Sequence, residues 1–170
     1  MIIKEIDRTA TVAWAPIASN VTLMATGTVS GALDASFSTN TELEIYDLSL
    51  GQDGVQKRAS ISSSARFNKI AWNSSSSQQP MGVIAGGMEN GTLEIWSASM
   101  LLDGKSNSSI LKNNTVHKGP IKGLEFNVAS NLLATGATAA EVHLFLTLDF
   151  HLGHGEVIST FFNWTEKPQS

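Results

Sequence analysis

A chain of 170 residues, 42% hydrophobic and 15% charged, is sized for one domain with a packed core and is too short for two ordinary ones. The formal net charge is −4 and the Lys and Arg residues are scattered, so no basic stripe points to a nucleic-acid partner. The chain has no cysteine, which excludes disulfides, thiolate zinc sites and thiol nucleophiles, and no run of eighteen apolar residues that would insert directly in a membrane.

In chain order, residues 2–6 alternate apolar and charged side chains and are predicted as a weak strand. Residues 11–14 form a strand ending in an aromatic, Trp14. Residues 23–27 (Leu-Met-Ala-Thr-Gly) form a small apolar strand closing on glycine. Residues 43–47 (Leu-Glu-Ile-Tyr-Asp) alternate, with Leu43 and Ile45 on one side and Glu44 and Tyr46 on the other. Glu42, Glu44 and Asp47 read there as a solvated face, and residues 57–62 supply a weaker fourth strand.

The same order then returns. Residues 70–72 end in Trp72, and residues 83–87 again close on glycine. Asn90-Gly91 signals a tight turn into residues 93–96, where Trp96 stands in the place of Tyr46. Residues 109–115 are again the weak strand. A third round runs through residues 121–126 with Phe126, residues 132–136, and residues 142–145 with Phe145. Residues 156–164 resemble another opening strand, with Trp164 in the place of Trp14 and Trp72. No stretch has the pattern of an amphipathic helix.

Spacing turns these echoes into an architecture. Ile45 and Ile95 are 50 residues apart, Ile95 and Leu144 are 49 apart, and Trp14 to Trp72 and Trp72 to Phe126 are 58 and 54. Strand-patterned units of about fifty residues indicate propeller blades, with loops of variable length between strands of fixed length. The expectation is all-β: WD-type β-propeller blades at residues 9–62, 66–115 and 117–150, with the start of a fourth at 155–165. The aromatics at matched positions are expected in the core or between blades, and His117 is expected at the structural position that opens a blade.

Several stretches carry more than a generic repeat. They are His117-Lys118-Gly119-Pro120-Ile121-Lys122-Gly123-Leu124-Glu125-Phe126-Asn127, residues 65–72, residues 26–34, and Ser36-Phe37-Ser38 leading into Leu43-Glu44-Ile45. Together they resemble the large WD-repeat subunit of the COPII vesicle outer coat, the Sec-thirty-one family, over residues 5–145. The resemblance implies a seven-bladed propeller, of which about three blades and part of a fourth are present here as a truncated form. It further implies a non-enzymatic scaffold without cofactors in endoplasmic reticulum to Golgi transport, peripheral on exit sites and vesicle coats on the cytoplasmic side. The implied partners are the small WD outer-coat subunit, inner-coat subunits, and other copies of the subunit at cage vertices. A generic WD adaptor that docks a peptide or protein is the alternative.

Three chemical expectations follow. In the third repeat the turn Thr138-Ala139-Ala140 lacks the Asp that would bridge His117, so the usual His-Asp-Ser/Thr-Trp network is expected to be incomplete there. His143, His151 and His154 cluster with Asp149, but in an irregular tail without turn-locked spacing, and no metal site is expected. Gly104-Lys105-Ser106 lacks the glycine five residues earlier that a phosphate loop needs, Ser99 standing there, and no Gly-x-Ser-x-Gly elbow supports nucleophilic catalysis.

Overall fold

In the computed structural model, which describes residues 1–16, 22–29, 40–51, 53–73 and 79–147, the strands assemble into three antiparallel sheets taken in chain order. Blade 1 contains β1 (Ala10–Trp14), β2 (Leu23–Thr28), β3 (Glu42–Asp47) and β4 (Gln56–Ser62). Blade 2 contains β5 (Phe67–Trp72), β6 (Val83–Met88), β7 (Thr92–Ser97) and β8 (Ile110–Thr115). Blade 3 contains β9 (Ile121–Phe126), β10 (Leu132–Ala137) and β11 (Glu141–Leu146). The chain is thus an all-β, partial propeller.

Each blade is a meander, its strands pairing antiparallel in chain order. Between β6 and β7, the Asn90 side-chain oxygen accepts from the Thr92 N–H at 3.0 Å. Gly91 holds a φ of +82° and lies against the His117 carbonyl, so a side chain there would be both strained and blocked. The turn therefore serves two blades at once.

The pairing register assigns the side chains to faces. In blade 1, Trp14, Met24 and Tyr46 form one row and Val12, Thr26 and Glu44 the next. Blade 2 repeats this with Trp72, Ile84 and Trp96, then Ile70, Gly86 and Glu94. Blade 3 does so with Phe126, Leu133 and Phe145, then Leu124, Thr135 and His143. These rows make a leading face, turned toward the preceding blade. The trailing face carries Ala13, Ala25 and Ile45, then Ala71, Ala85 and Ile95, then Glu125, Ala134 and Leu144.

Two cores lie between blades. Leu23, Ala25, Leu43 and Ile45 of blade 1 meet Phe67, Ile70, Trp72, Ile84, Met88 and Trp96 of blade 2. Val83, Ala85, Leu93 and Ile95 of blade 2 meet Ile121, Leu124, Leu133 and Phe145 of blade 3. A fully buried aliphatic or aromatic side chain contributes about 1.5–3 kcal/mol, so each blade is stabilised chiefly by its neighbour. Close approach is set by small residues. A Cβ on Gly27 would lie 2.7 Å from the Phe67 ring, and one on Gly87 would lie 2.5 Å from Ile121.

Three expectations change. Residues 2–6 form no strand: their alternation finds no neighbouring edge among the described residues, and the segment is tied instead by Lys4, whose ammonium donates to the carbonyls of Ser49 and Gly54, each at 2.7 Å. Two short helices, α1 (Ala98–Leu102) and α2 (Ser106–Ser109), fill the β7–β8 connection, and the Ser97 hydroxyl caps the first. Trp14 is not core. It is 60% exposed, with no described residue packed over it.

Candidate functional site

The chemistry of the molecule concentrates in one repeat position on the leading face, occupied by Glu44, Glu94 and His143. In blade 1 the Glu44 carboxylate is 1% exposed, which overturns its reading as part of a solvated face. Arg8 donates to it at 2.7 Å, the Tyr46 hydroxyl at 2.8 Å and Lys57 at 3.1 Å. The segment before β1 thus supplies the guanidinium that makes burial of the carboxylate tolerable. Burial, with the hydrogen bond to Glu44, pushes the Tyr46 phenol up to about 12.

In blade 2 the equivalent Glu94 is equally buried but is held by Ser64 alone among the described residues, whose N–H donates to it at 3.1 Å and whose hydroxyl also favours the carboxylate. Among the described residues its other oxygen has no partner, and neither does the neighbouring Trp96 indole N–H. Burial pushes the Glu94 carboxyl up from its ordinary range.

In blade 3 the position is taken by His143, stacked on His117 with ring centroids 4.2 Å apart and planes 15° from parallel. Burial, then the neighbouring His117, holds His143 below the ordinary imidazole range. The Nε2 atom of His117 lies 2.7 Å from the Thr135 hydroxyl and its Nδ1 atom lies 3.1 Å from Glu141. An ionised carboxylate only accepts, so Nδ1 carries the hydrogen toward Glu141. The Lys118 N–H also donates to Glu141 at 3.1 Å, and this bond, with His117, holds the carboxyl below its usual range.

This arrangement fills the place of the missing Asp, while the network as a whole stays incomplete as expected. Glu141, one residue beyond the turn at 138–140, reaches back with its longer side chain and does what an Asp in that turn would do. The network stops at Thr135, because Phe145 has no N–H to extend it. Sequence reasoning overlooked Glu141 because it searched the turn itself; a carboxylate immediately after the turn was the available signal.

His117, Glu141 and His143 also form a group of metal-ligand type, with donor atoms within 4.8 Å of one another. Both nitrogens of His117 are already engaged, by Glu141 and Thr135, and the two rings are stacked on one another. The group therefore fits a structural brace better than a metal centre. The grouping of His143 with His151, His154 and Asp149 falls partly on residues outside those described, as does Trp164.

The remaining repeat positions divide cleanly. Trp72, Trp96, Phe145 and His117 are buried, Phe126 and Tyr46 are half-buried, and Trp14 is exposed. The structure leaves two apolar faces open among the described residues. The leading face of blade 1 shows Trp14 and Val12, the latter 53% exposed, and the trailing face of blade 3 shows Val142 at 63%, with Leu144 and Leu146.

No protein-family model matches the chain. Among curated proteins it is 46% identical over 147 residues to the protein transport protein sec31 of Aspergillus terreus, covering 84% of this chain and 12% of the relative. It is 40% identical over 153 residues to the SEC31 of Dictyostelium discoideum, covering 84% and 11%. The chain thus spans about a tenth of the length of the curated relatives it matches. Among solved structures, a chain of the COPII outer coat vertex on membranes superposes with a TM-score of 0.69 at 29% identity, over 89% of this chain and 38% of that one. The C-terminal WD40 domain of Sif2 superposes with a TM-score of 0.61 at 15% identity, over 92% and 38%, a likeness of fold alone.

Proposed function

Because the chain belongs to the Sec31 family of protein transport proteins, we propose that it acts as a structural scaffold of the COPII vesicle coat in endoplasmic reticulum to Golgi transport. The observation that carries this reading is the 46% identity over 84% of the chain, joined to the superposition on an outer coat vertex chain. Its mode of action is protein–protein contact by rigid blades, with weak contacts summed over many copies. The polar groups that the fold brings together support contact over catalysis, since His117, Thr135 and Glu141 are spent on one another.

Within the coat, the partners are other copies of the subunit at cage vertices, the small WD outer-coat subunit and the inner-coat subunits. All the strands described here belong to blades, so propeller-to-propeller contact is the role that these residues serve. The location is peripheral, on the cytoplasmic side of exit sites and vesicle coats. The likeness to the Sif2 domain extends to fold only and lends the adaptor alternative no support.

The test is co-sedimentation of the purified, labelled chain with a COPII coat reconstituted on liposomes. Sedimentation is expected only when outer-coat subunits are present. Equal recovery with bare liposomes, or none with the complete coat, would overturn the reading.

A further inference from the structure

The backbone of His117 is tied to blade 2 and its ring to blade 3. The N–H groups of Val116 and His117 donate to the Gly91 carbonyl in the β6–β7 turn, at 3.1 and 3.2 Å. The ring is buried, held by Thr135 of β10 and Glu141 of β11, and covered by the stacked ring of His143. With its hydrogen on Nδ1, neutral His117 donates to Glu141 and accepts from the Thr135 hydroxyl, so both bonds are complete without a charge on the imidazole. A proton on His143 lays a cation flat against that ring. A second proton sets two like charges face to face, with ring centroids 4.2 Å apart. Blades 1 and 2 carry Glu44 and Glu94 at the position of His143, so among the described blades this pairing belongs to blade 3.

We infer that the His117–His143 stack is a proton-sensitive latch on the joint between blades 2 and 3, closed while both rings are neutral and loosened as they take up protons. The joint lies between two blades of the chain and involves neither end face, and the latch does not rest on the coat role. The charged groups that surround the pair, among the described residues, come from four elements. They are Glu141 on β11, Lys118 before β9, Glu89 in the β6–β7 turn and Lys112 of β8, whose ammonium lies 5.6 Å from the Phe145 ring centroid. Thr135, which pairs with His143 across β10, is neutral. Glu141 favours a proton on His143, but burial and His117 outweigh it and hold that ring below its ordinary value of 6.5. The folded chain therefore binds this proton less tightly than the unfolded chain. The joint is at full strength above about pH 6.5 and weakens as pH falls below it.

Amide hydrogen exchange on the purified 170-residue chain reads the latch at the bonds it secures, the Val116 and His117 N–H groups. After correction for intrinsic rates, their opening constants are expected to rise about threefold or more between pH 7.5 and pH 5.5. In His143→Phe, whose flat ring can still stack on His117 but takes no proton, they should change by less than about twofold. His143→Leu, a smaller side chain without a proton site, is measured beside it and should be equally flat. Glu94, His151 and His154 are present in parent and variants alike, so their titration cancels in the comparison. The His143 C2–H resonance of the parent should titrate below pH 6.5. The proposal is overturned if the parent's opening constants stay level over this range, if parent and variants rise together, or if the His143 ring titrates at or above 6.5. Protection of these amides by added zinc in the parent, lost in His143→Phe, would assign the pair to a metal and also overturn it.

Discussion

Glu44 and Glu94 occupy one repeat position in consecutive blades, are equally buried, and are treated in opposite ways. Arg8, Tyr46 and Lys57 surround the first, while the second is held by Ser64 alone and leaves an oxygen and an adjacent indole N–H without partners among the described residues. The difference teaches that a repeat fixes where a side chain is buried but not whether its charge is matched. Matching depends on what precedes the blade. Blade 1 follows a segment that brings Arg8, whereas blade 2 follows Ser63-Ser64, which brings hydrogen bonds from Ser64 but no cation to the carboxylate.

The comparison can be broken first at Arg8. Arg8→Ala leaves a buried carboxylate with Lys57, itself half exposed, as its one cation, and is expected to cost about 3 kcal/mol. Urea unfolding followed by Trp fluorescence measures this, and a loss below about 1 kcal/mol would mean that Arg8 does not sustain Glu44. Glu44→Gln should cost about 2 kcal/mol by the same measurement, since it weakens three charge-assisted bonds at once.

Glu94→Gln is expected to go the other way, with a gain of about 1 kcal/mol at neutral pH, because an amide keeps the Ser64 bond and removes the uncompensated charge. The sign with pH follows from the raised carboxyl of Glu94. The native state holds that proton more tightly than the unfolded chain, so the penalty is absent in acid and grows as pH rises from about 4.5 through the folded titration. Unfolding midpoints of the parent and Glu94→Gln should therefore converge at pH 4 and separate by pH 7. Glu141→Gln should give the smallest effect, a slight fall in midpoint near neutrality that vanishes in acid, because the lowered Glu141 carboxyl contributes only while ionised. A Glu141 variant that unfolds blade 3 would instead raise the His117 brace above the Glu44 cage.

Much of this was legible in advance. The rounds at residues 43–47, 93–96 and 142–145 announced alternating strands, and the closing glycines of residues 23–27, 83–87 and 132–136 announced close packing, because period and side-chain size are properties of the chain itself. Less visible were the pairings that cross sequence distance. Arg8 reaches Glu44 over 36 positions and His117 reaches Glu141 over 24, and no local pattern couples them. Residues 2–6 illustrate the converse, an alternating stretch that has no partner strand among the described residues and forms none itself.

The sequence by itself determined the fold class, the repeat and the two-sided blades, since alternation with a fixed period decides which side chains share a face before any neighbour is present. Only the tertiary structure decided which faces are covered and which buried charges are matched. Trp14 and Trp72 are the same residue at the same repeat position, yet one meets solvent and the other a neighbouring blade, because burial belongs to the contact and not to the side chain.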